Sequence, residues 1–492
     1  HTVNGTLIAT GQQTRYSNAD NLQASLPYRN QTLAGRATYG FLDKYFAEFN
    51  FGYNGSERFS KNHRYGFFPT IGAGWILSNE KFWNGISSVF TRAKIRGSYG
   101  LAGNDAISSR RFFYLSDVNL NGGGNYASFG SNNGYSRSGV FINNYENTDV
   151  TWETARQANL ALELTIFKNL NIVAEVYKKH TYNILQNRTS IPTTSGLEAA
   201  ISANLGAVDA KGLDLHMDYK HNFSNNIWIS AMGNFTFAQN KYVKYEEPQW
   251  KESYRYLKGQ PVFRNFGYIA ERLFVDDIEA QNSPSQIFSA NGKPPKGGDI
   301  KYRDLNEDGK IDGADQTFIG FPQVPEIVYG FGLSAGYKGF DITVFFQGQS
   351  RVTFFINPNT TSPFIPSPNG NIGGNTQLLS DYANDHWSEE NQDLYALYPR
   401  LGVNKADLEN NLQGSTWWMR DGSFMRLKSL DVGYTLPTRF IKKIKLSNCR
   451  IYFNGLNLFT WSSFKMWDPE LGGNGFNYPV QKVFNVGINV NL

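Results

Sequence analysis

Apolar and polar residues alternate strictly in run after run along this chain. In the last segment Phe484, Val486, Ile488, Val490 and Leu492 are separated by Asn485, Gly487, Asn489 and Asn491. Leu213, Leu215, Met217 and Tyr219 alternate in the same way with Asp214, His216, Asp218 and Lys220. Ile227, Ile229, Ala231, Phe235 and Phe237 do so against Ser230, Asn234 and Thr236. A side-chain period of two gives a strand one apolar and one wet face. Many of these runs last about ten residues or more, the length a tilted strand needs to cross a bilayer. The pattern predicts an all-β fold, a transmembrane antiparallel β-barrel with lipid outside and a polar lining within.

Three tight hairpins stand out. Residues 33–53 turn at 42–44, residues 158–176 turn at 168–169, and residues 327–347 turn at Lys338 and Gly339. Between hairpins lie long stretches rich in Gly, Asn and Ser, at 104–149, 242–265, 276–324 and 352–415. Short turns on one side and long loops on the other are the asymmetry of periplasmic turns and extracellular loops. The pattern yields about fourteen to fifteen strands, the first near residues 6–16 and the last at 480–492. Aromatics near the strand ends, Trp75, Phe82, Trp83, Trp152, Trp228, Trp417, Trp418 and Trp461, are expected to form interfacial girdles.

Composition narrows the class. Across 492 residues there are 48 glycines, 15% aromatic and only 18% charged residues. The mean hydropathy of −0.45 suits a barrel with a polar interior. No run of apolar residues is long enough for a helical span. The net charge of +5 comes from 47 basic and 42 acidic side chains that are interspersed, which leaves no nucleic-acid footprint. A single cysteine, Cys449, allows no internal disulfide; it shares parity with Ile451 and Phe453 and reads as buried or lipid-facing. With no initiating Met and no signal segment, the chain is expected to be part of a longer protein.

One motif carries sharp chemistry. Asp304, Asn306, Asp308, Asp312 and Asp315 occupy positions one, three, five, nine and twelve of a cation loop, with Gly309 at six. Lys310 at seven would offer its backbone carbonyl, and Ile311 would tuck into the apolar side of the loop. The spacing predicts a structural Ca²⁺, favoured over Mg²⁺ because the cage is all protein. The alternative is a solvated turn without metal. His63, His180, His216, His221 and His386 are isolated at the sequence level, with no metal-ligand spacing. No acidic pair can be assigned to acid–base work, so no catalytic residue is identified and the chain is expected not to be an enzyme.

Several segments together resemble the SusC-like, TonB-dependent transporters. They are Gly298-Asp299-Ile300-Lys301-Tyr302-Arg303-Asp304, His386-Trp387 with Tyr398-Pro399-Arg400-Leu401, and residues 420–428 with Gly433-Tyr434-Thr435-Leu436-Pro437. Residues 454–460, Asp468-Pro469-Glu470, and an early set including Arg36, Tyr39, Asp43, Arg58, Phe68 and Trp75 fit the same family. The resemblance spans residues 1–492 and implies the C-terminal part of a barrel of roughly twenty-two strands. Residues 298–320 would then be an extracellular loop carrying the cation site, and the plug and TonB-box regions are absent from this chain. The family's function is active import of oligosaccharides or peptides across the outer membrane of Bacteroidetes. The resemblance implies a SusD-like lipoprotein lid, energy from TonB–ExbB–ExbD through the missing N-terminal region, and a dimer of SusC–SusD pairs. A passive porin is the alternative, and a barrel adhesin or enzyme a more remote one.

Overall fold

The computed structural model describes residues 1–18, 25–223, 225–290, 292–364, 378–403, 405–441 and 446–491. The expected terminal residue Leu492 and part of the loop at 352–415 lie outside them. The chain forms two compact units, one of residues 1–215, 238–249 and 257–259, the other of 216–237, 250–256 and 260–492.

The first run of strands is β1 (Thr2–Thr14), β2 (Tyr28–Phe41), β3 (Tyr45–Ser56), β4 (Tyr65–Ile76) and β5 (Phe90–Asn104). After a loop hairpin, β6 (Asp117–Phe129) and β7 (Tyr135–Asn144), come β8 (Glu153–Ile166), β9 (Leu170–Asn187), β10 (Ser202–Asn222) and β11 (Ile227–Lys244). Four short loop strands follow, β12 (Arg264–Gly267), β13 (Ala270–Leu273), β14 (Ile300–Tyr302) and β15 (Thr317–Pro322). The rest are β16 (Ile327–Tyr337), β17 (Phe340–Ser350), β18 (Thr353–Phe355), β19 (Met419–Asp421), β20 (Phe424–Thr435), β21 (Asn448–Ser462) and β22 (Val483–Asn491). Fourteen of them join in one sheet, ordered β1-β2-β3-β4-β5-β8-β9-β10-β11-β16-β17-β20-β21-β22. That number agrees with the periodicity.

All three predicted hairpins form. Their turn residues Leu42 and Asp43, Phe167 and Lys168, and Lys338 and Gly339 all have positive φ. Two consecutive left-handed residues match the right-handed twist of the strands they join. Registers then put like with like. In the first unit Phe49 lies opposite Ile71, and Ile71 opposite Tyr99. In the second, Val432 lies opposite Phe453 and Phe453 opposite Val486, with Ile451 opposite Ile488 beside them. Directly opposed residues share a face, so these rows make a continuous apolar surface, and it is solvent-exposed: Ile71 is 58% and Val486 79% accessible. Leu213, Leu215, Met217, Ile488 and Val490 are exposed as well. A wide, unburied apolar face is what a lipid-facing wall requires.

The loop stretch at 104–149 contains a hairpin of its own, β6 paired with β7 through repeated register shifts. A Gly- and Asn-rich ribbon satisfies its own backbone hydrogen bonds without an alternating apolar face, so periodicity misses it. The aromatic girdle is smaller than expected. Trp152 is buried with Phe59, Phe68, Phe113 and Val150, and Trp418 is wholly buried with Trp417 packed against the same cluster. Trp228 sits opposite Gly336, on the polar face rather than the apolar one. Trp75, Phe82 and Trp461 do remain exposed. Two of the histidines lie against carboxylates: His180 Nδ1 is 2.6 Å from Asp209 and His216 Nε2 is 2.6 Å from Asp218.

Candidate functional site

The polar face of the sheet carries charges in compensated groups. In the first unit Arg96 donates to Glu163 and to Glu175, each at 2.8 Å, and Lys94 lies 3.6 Å from Glu163. Arg36 reaches Glu48 at 2.8 Å. Arg36, Glu48, Lys94 and Arg96, with Asn50, Tyr39 and Ser98, line a concavity of about 580 Å³. In the second unit Arg450 grips Asp341 and Asp431 together, through strands that the register makes neighbours. Gly433, opposite Tyr452, leaves the space that the Arg450 guanidinium fills; a Cβ there would collide with it. Such a wall can hydrogen-bond a polar chain along its length, each charge lying beside one of opposite sign.

The long-loop side of the second unit has its own core. Tyr268, Leu273, Ile300, Tyr302, Ile311, Ile356, Tyr382, Tyr398 and Trp418 are buried there. Tyr382 and Tyr398 rings lie 4.4 Å apart, and Tyr398 meets Trp418 edge-on at 5.6 Å. At its centre Asp299 is fully buried, 2.6 Å from Arg400 Nε, and it accepts from Asn411 Nδ2 at 2.7 Å. Burial pushes the Asp299 carboxyl above its ordinary value, although Arg400 and Asn411 pull the other way. Gln286 donates to the Ile300 carbonyl and to Asn410, and accepts from the Tyr302 N–H. Arg426 joins Asp468 and Glu470. The segments that carry the resemblance are therefore mostly the ones that knit this layer: 298–304, 398–401, 420–428 and 468–470.

The six predicted cation-loop residues fall into two groups. Gly309 has φ of +81°, the turn position six demands, and Ile311 is only 1% exposed, as expected. Asp304 accepts from the Gly309 N–H at 2.8 Å, Asn306 Oδ1 from Asp308, and Asp308 from the Lys310 N–H, so these side chains curl around one turn. Asp312 caps the short helix that follows, accepting from Ala314 at 2.7 Å. Asp315 is wholly buried and accepts from the Leu305 and Asp312 N–H groups, each at 2.8 Å. Among the described residues, no three His, Cys, Asp or Glu side chains converge closely enough to hold a metal. Asp304, Asn306 and Asp308 thus close the turn by accepting backbone N–H groups, and Asp315 at position twelve fastens the loop.

Sequence reasoning did not foresee the Asp299–Arg400 and Arg426–Asp468 pairs as contacts. Nothing in local spacing signals them.

Together these features define a class: the lipid-facing, polar-lined wall of an outer-membrane β-barrel with an ordered loop layer. No family model matches the chain. It is 28% identical over 94% of its length to TonB-dependent receptor P3 of Formosa agariphila, covering 46% of that protein. It is 24% identical over 93% of its length to TonB-dependent receptor SusC of Bacteroides thetaiotaomicron, covering 43% of it. Among solved structures, the RagAB peptide importer in its open-open state superposes with a TM-score of 0.70 at 19% identity, covering 97% of this chain and 49% of that one. The chain thus spans about half the length of the curated relatives it matches. Over nearly its whole length it is similar to SusC-like, TonB-dependent receptors, and its fold is that of an outer-membrane β-barrel wall. These relatives are receptors and transporters, not enzymes.

Proposed function

We propose that the protein containing this chain imports oligosaccharides or peptides across the outer membrane, with energy supplied by TonB–ExbB–ExbD. One observation carries the reading: similarity to TonB-dependent receptors extends over 93–96% of the chain. The charge-compensated polar wall and the firmly cross-braced loop layer support it. This chain supplies wall and loops; the plug and the TonB-contacting segment belong to the rest of the protein. A SusD-like surface lipoprotein covers the loop layer, and two such pairs associate. That one structural neighbour is a peptide importer keeps peptides beside glycans as candidate cargo.

A structural Ca²⁺ on Asp304, Asn306, Asp308 and the Lys310 carbonyl stiffens residues 298–320 as an extracellular loop. Asp312 and Asp315 hold the backbone in place. Metal analysis of protein purified in calcium should find about one ion per chain, released by chelator.

Purification of the native complex from outer membranes, followed by mass spectrometry, tests the partner. The expected result is a stoichiometric surface lipoprotein. A barrel that purifies alone, without a lipoprotein encoded alongside, contradicts the lid.

A further inference from the structure

On the long-loop side of the second unit, Leu397, Arg420, Asp421, Ser463, Phe464, Lys465 and Met466 line a pocket of about 320 Å³. That is at the small end of ligand pockets, about 300–1,000 Å³. Arg420 lies on β19 opposite Phe354, whose ring meets Phe464 edge-on at 5.3 Å, so two elements fix the pocket floor. The guanidinium is anchored on one nitrogen only. Its Nη1 donates to the Trp417 carbonyl at 2.7 Å and the Met419 carbonyl at 2.9 Å. Nε and Nη2 have no partner among the described residues, and neither is a sealed, unsatisfied interior atom. Those two groups form the edge of the fork that takes a carboxylate bidentately. No acidic side chain among the described residues forms an ion pair with Arg420 or Lys465. Asp421 sits on the same rim but accepts from the Ser423 N–H at 2.9 Å. Burial also lowers the Arg420 pKa, the mark of a cation without its counter-ion.

We propose that this pocket binds the terminal carboxylate of a short peptide whose last residue is apolar. Arg420 would hold the carboxylate, Lys465 would add charge at the rim, and Leu397, Phe464 and Met466 would receive the side chain. The apolar walls favour this ligand over a uronate, whose neighbouring groups are hydroxyls. The inference rests on the import reading and deepens it.

The test is binding of a leucine-terminated hexapeptide to the purified full-length receptor, as the free acid and as its C-terminal amide, with a uronate tetrasaccharide as third probe. The free acid should bind about tenfold or more tightly than the amide. Arg420→Gln should abolish that preference. Lys465 is exposed and forms no ion pair, so Lys465→Gln leaves folding intact and should weaken the free acid by about twofold to fivefold. Equal affinity for acid and amide, a preference unchanged in both variants, or binding of the uronate in place of the peptide would each overturn the proposal. TonB-dependent uptake by a receptor with equal affinities would sink the pocket alone; a clear preference without such uptake would sink the import reading instead.

Discussion

Arg426 Nη2 lies 2.6 Å from each carboxylate oxygen of Asp468, with the arginine only 1% exposed. Its Nη1 meets Glu470, and its Nε donates to Thr460 at 3.0 Å. One side chain on β20 thus ties together the end of β21 and the loop beyond it. Removing one member of a buried pair leaves the other charge uncompensated, at about 3–5 kcal/mol. Arg426→Ala should therefore destabilise the protein by about that amount, read as urea-induced unfolding in detergent. Adding Asp468→Asn and Glu470→Gln should change little more, because the three act as one network. Fully additive losses would mean they do not.

The apolar face gives a second prediction. Ile488 is 64% exposed and opposes Ile451. Ile488→Arg should cost roughly 2–4 kcal/mol near mid-membrane. The useful control is Asn485, opposite Asn454, and not Asn489, which opposes Arg450 and would add like-charge repulsion. Asn485→Arg should cost much less, in the same unfolding assay in lipid vesicles. Comparable losses at both sites would contradict the assigned register.

Glu279 predicts an acid response in the loop layer. Contacts with Arg272 at 2.5 Å and 3.0 Å, the Val275 N–H and Lys301 lower its pKa to about 2. Because the folded value lies below the ordinary 4.5, its stabilisation is complete above that pH and disappears as pH falls toward about 2. Tryptophan fluorescence of the loop layer should change across this window in the wild type. The Glu279→Gln variant should lose that component. An identical profile in both would show that another group controls the acid response.

The cation loop separates two roles by mutation. Asp304→Ala and Asp308→Ala should increase protease cleavage of residues 298–320 in calcium to the level seen with chelator. Asp315→Asn should loosen the loop with or without calcium, since its carboxylate anchors two backbone N–H groups. If Asp304→Ala behaved the same in chelator and calcium as the wild type, the metal assignment would fail.

What was legible from sequence follows from range. Strands and hairpins depend on neighbours two residues apart or on a two-residue turn such as Lys338-Gly339, so periodicity finds them. The pairs that organise the interior do not. Arg450 and Asp341 are 109 residues apart and Arg400 and Asp299 are 101 apart, and only the register of intervening elements brings them together. Trp152 and Trp418 sit near strand ends just as girdle residues do; composition cannot separate a membrane interface from a loop core. Asp315 matched a ligand position in the cation loop, yet a ligand and a backbone cap require the same residue type at that spacing.

Energised import is read out by uptake itself. Cells expressing the full-length receptor should be given labelled oligosaccharide and peptide mixtures, with TonB present and with TonB deleted. Accumulation above the external concentration, dependent on both the receptor and TonB, is the expected result. Receptor-dependent uptake that only equilibrates, and continues unchanged without TonB, would contradict it and identify a passive pore.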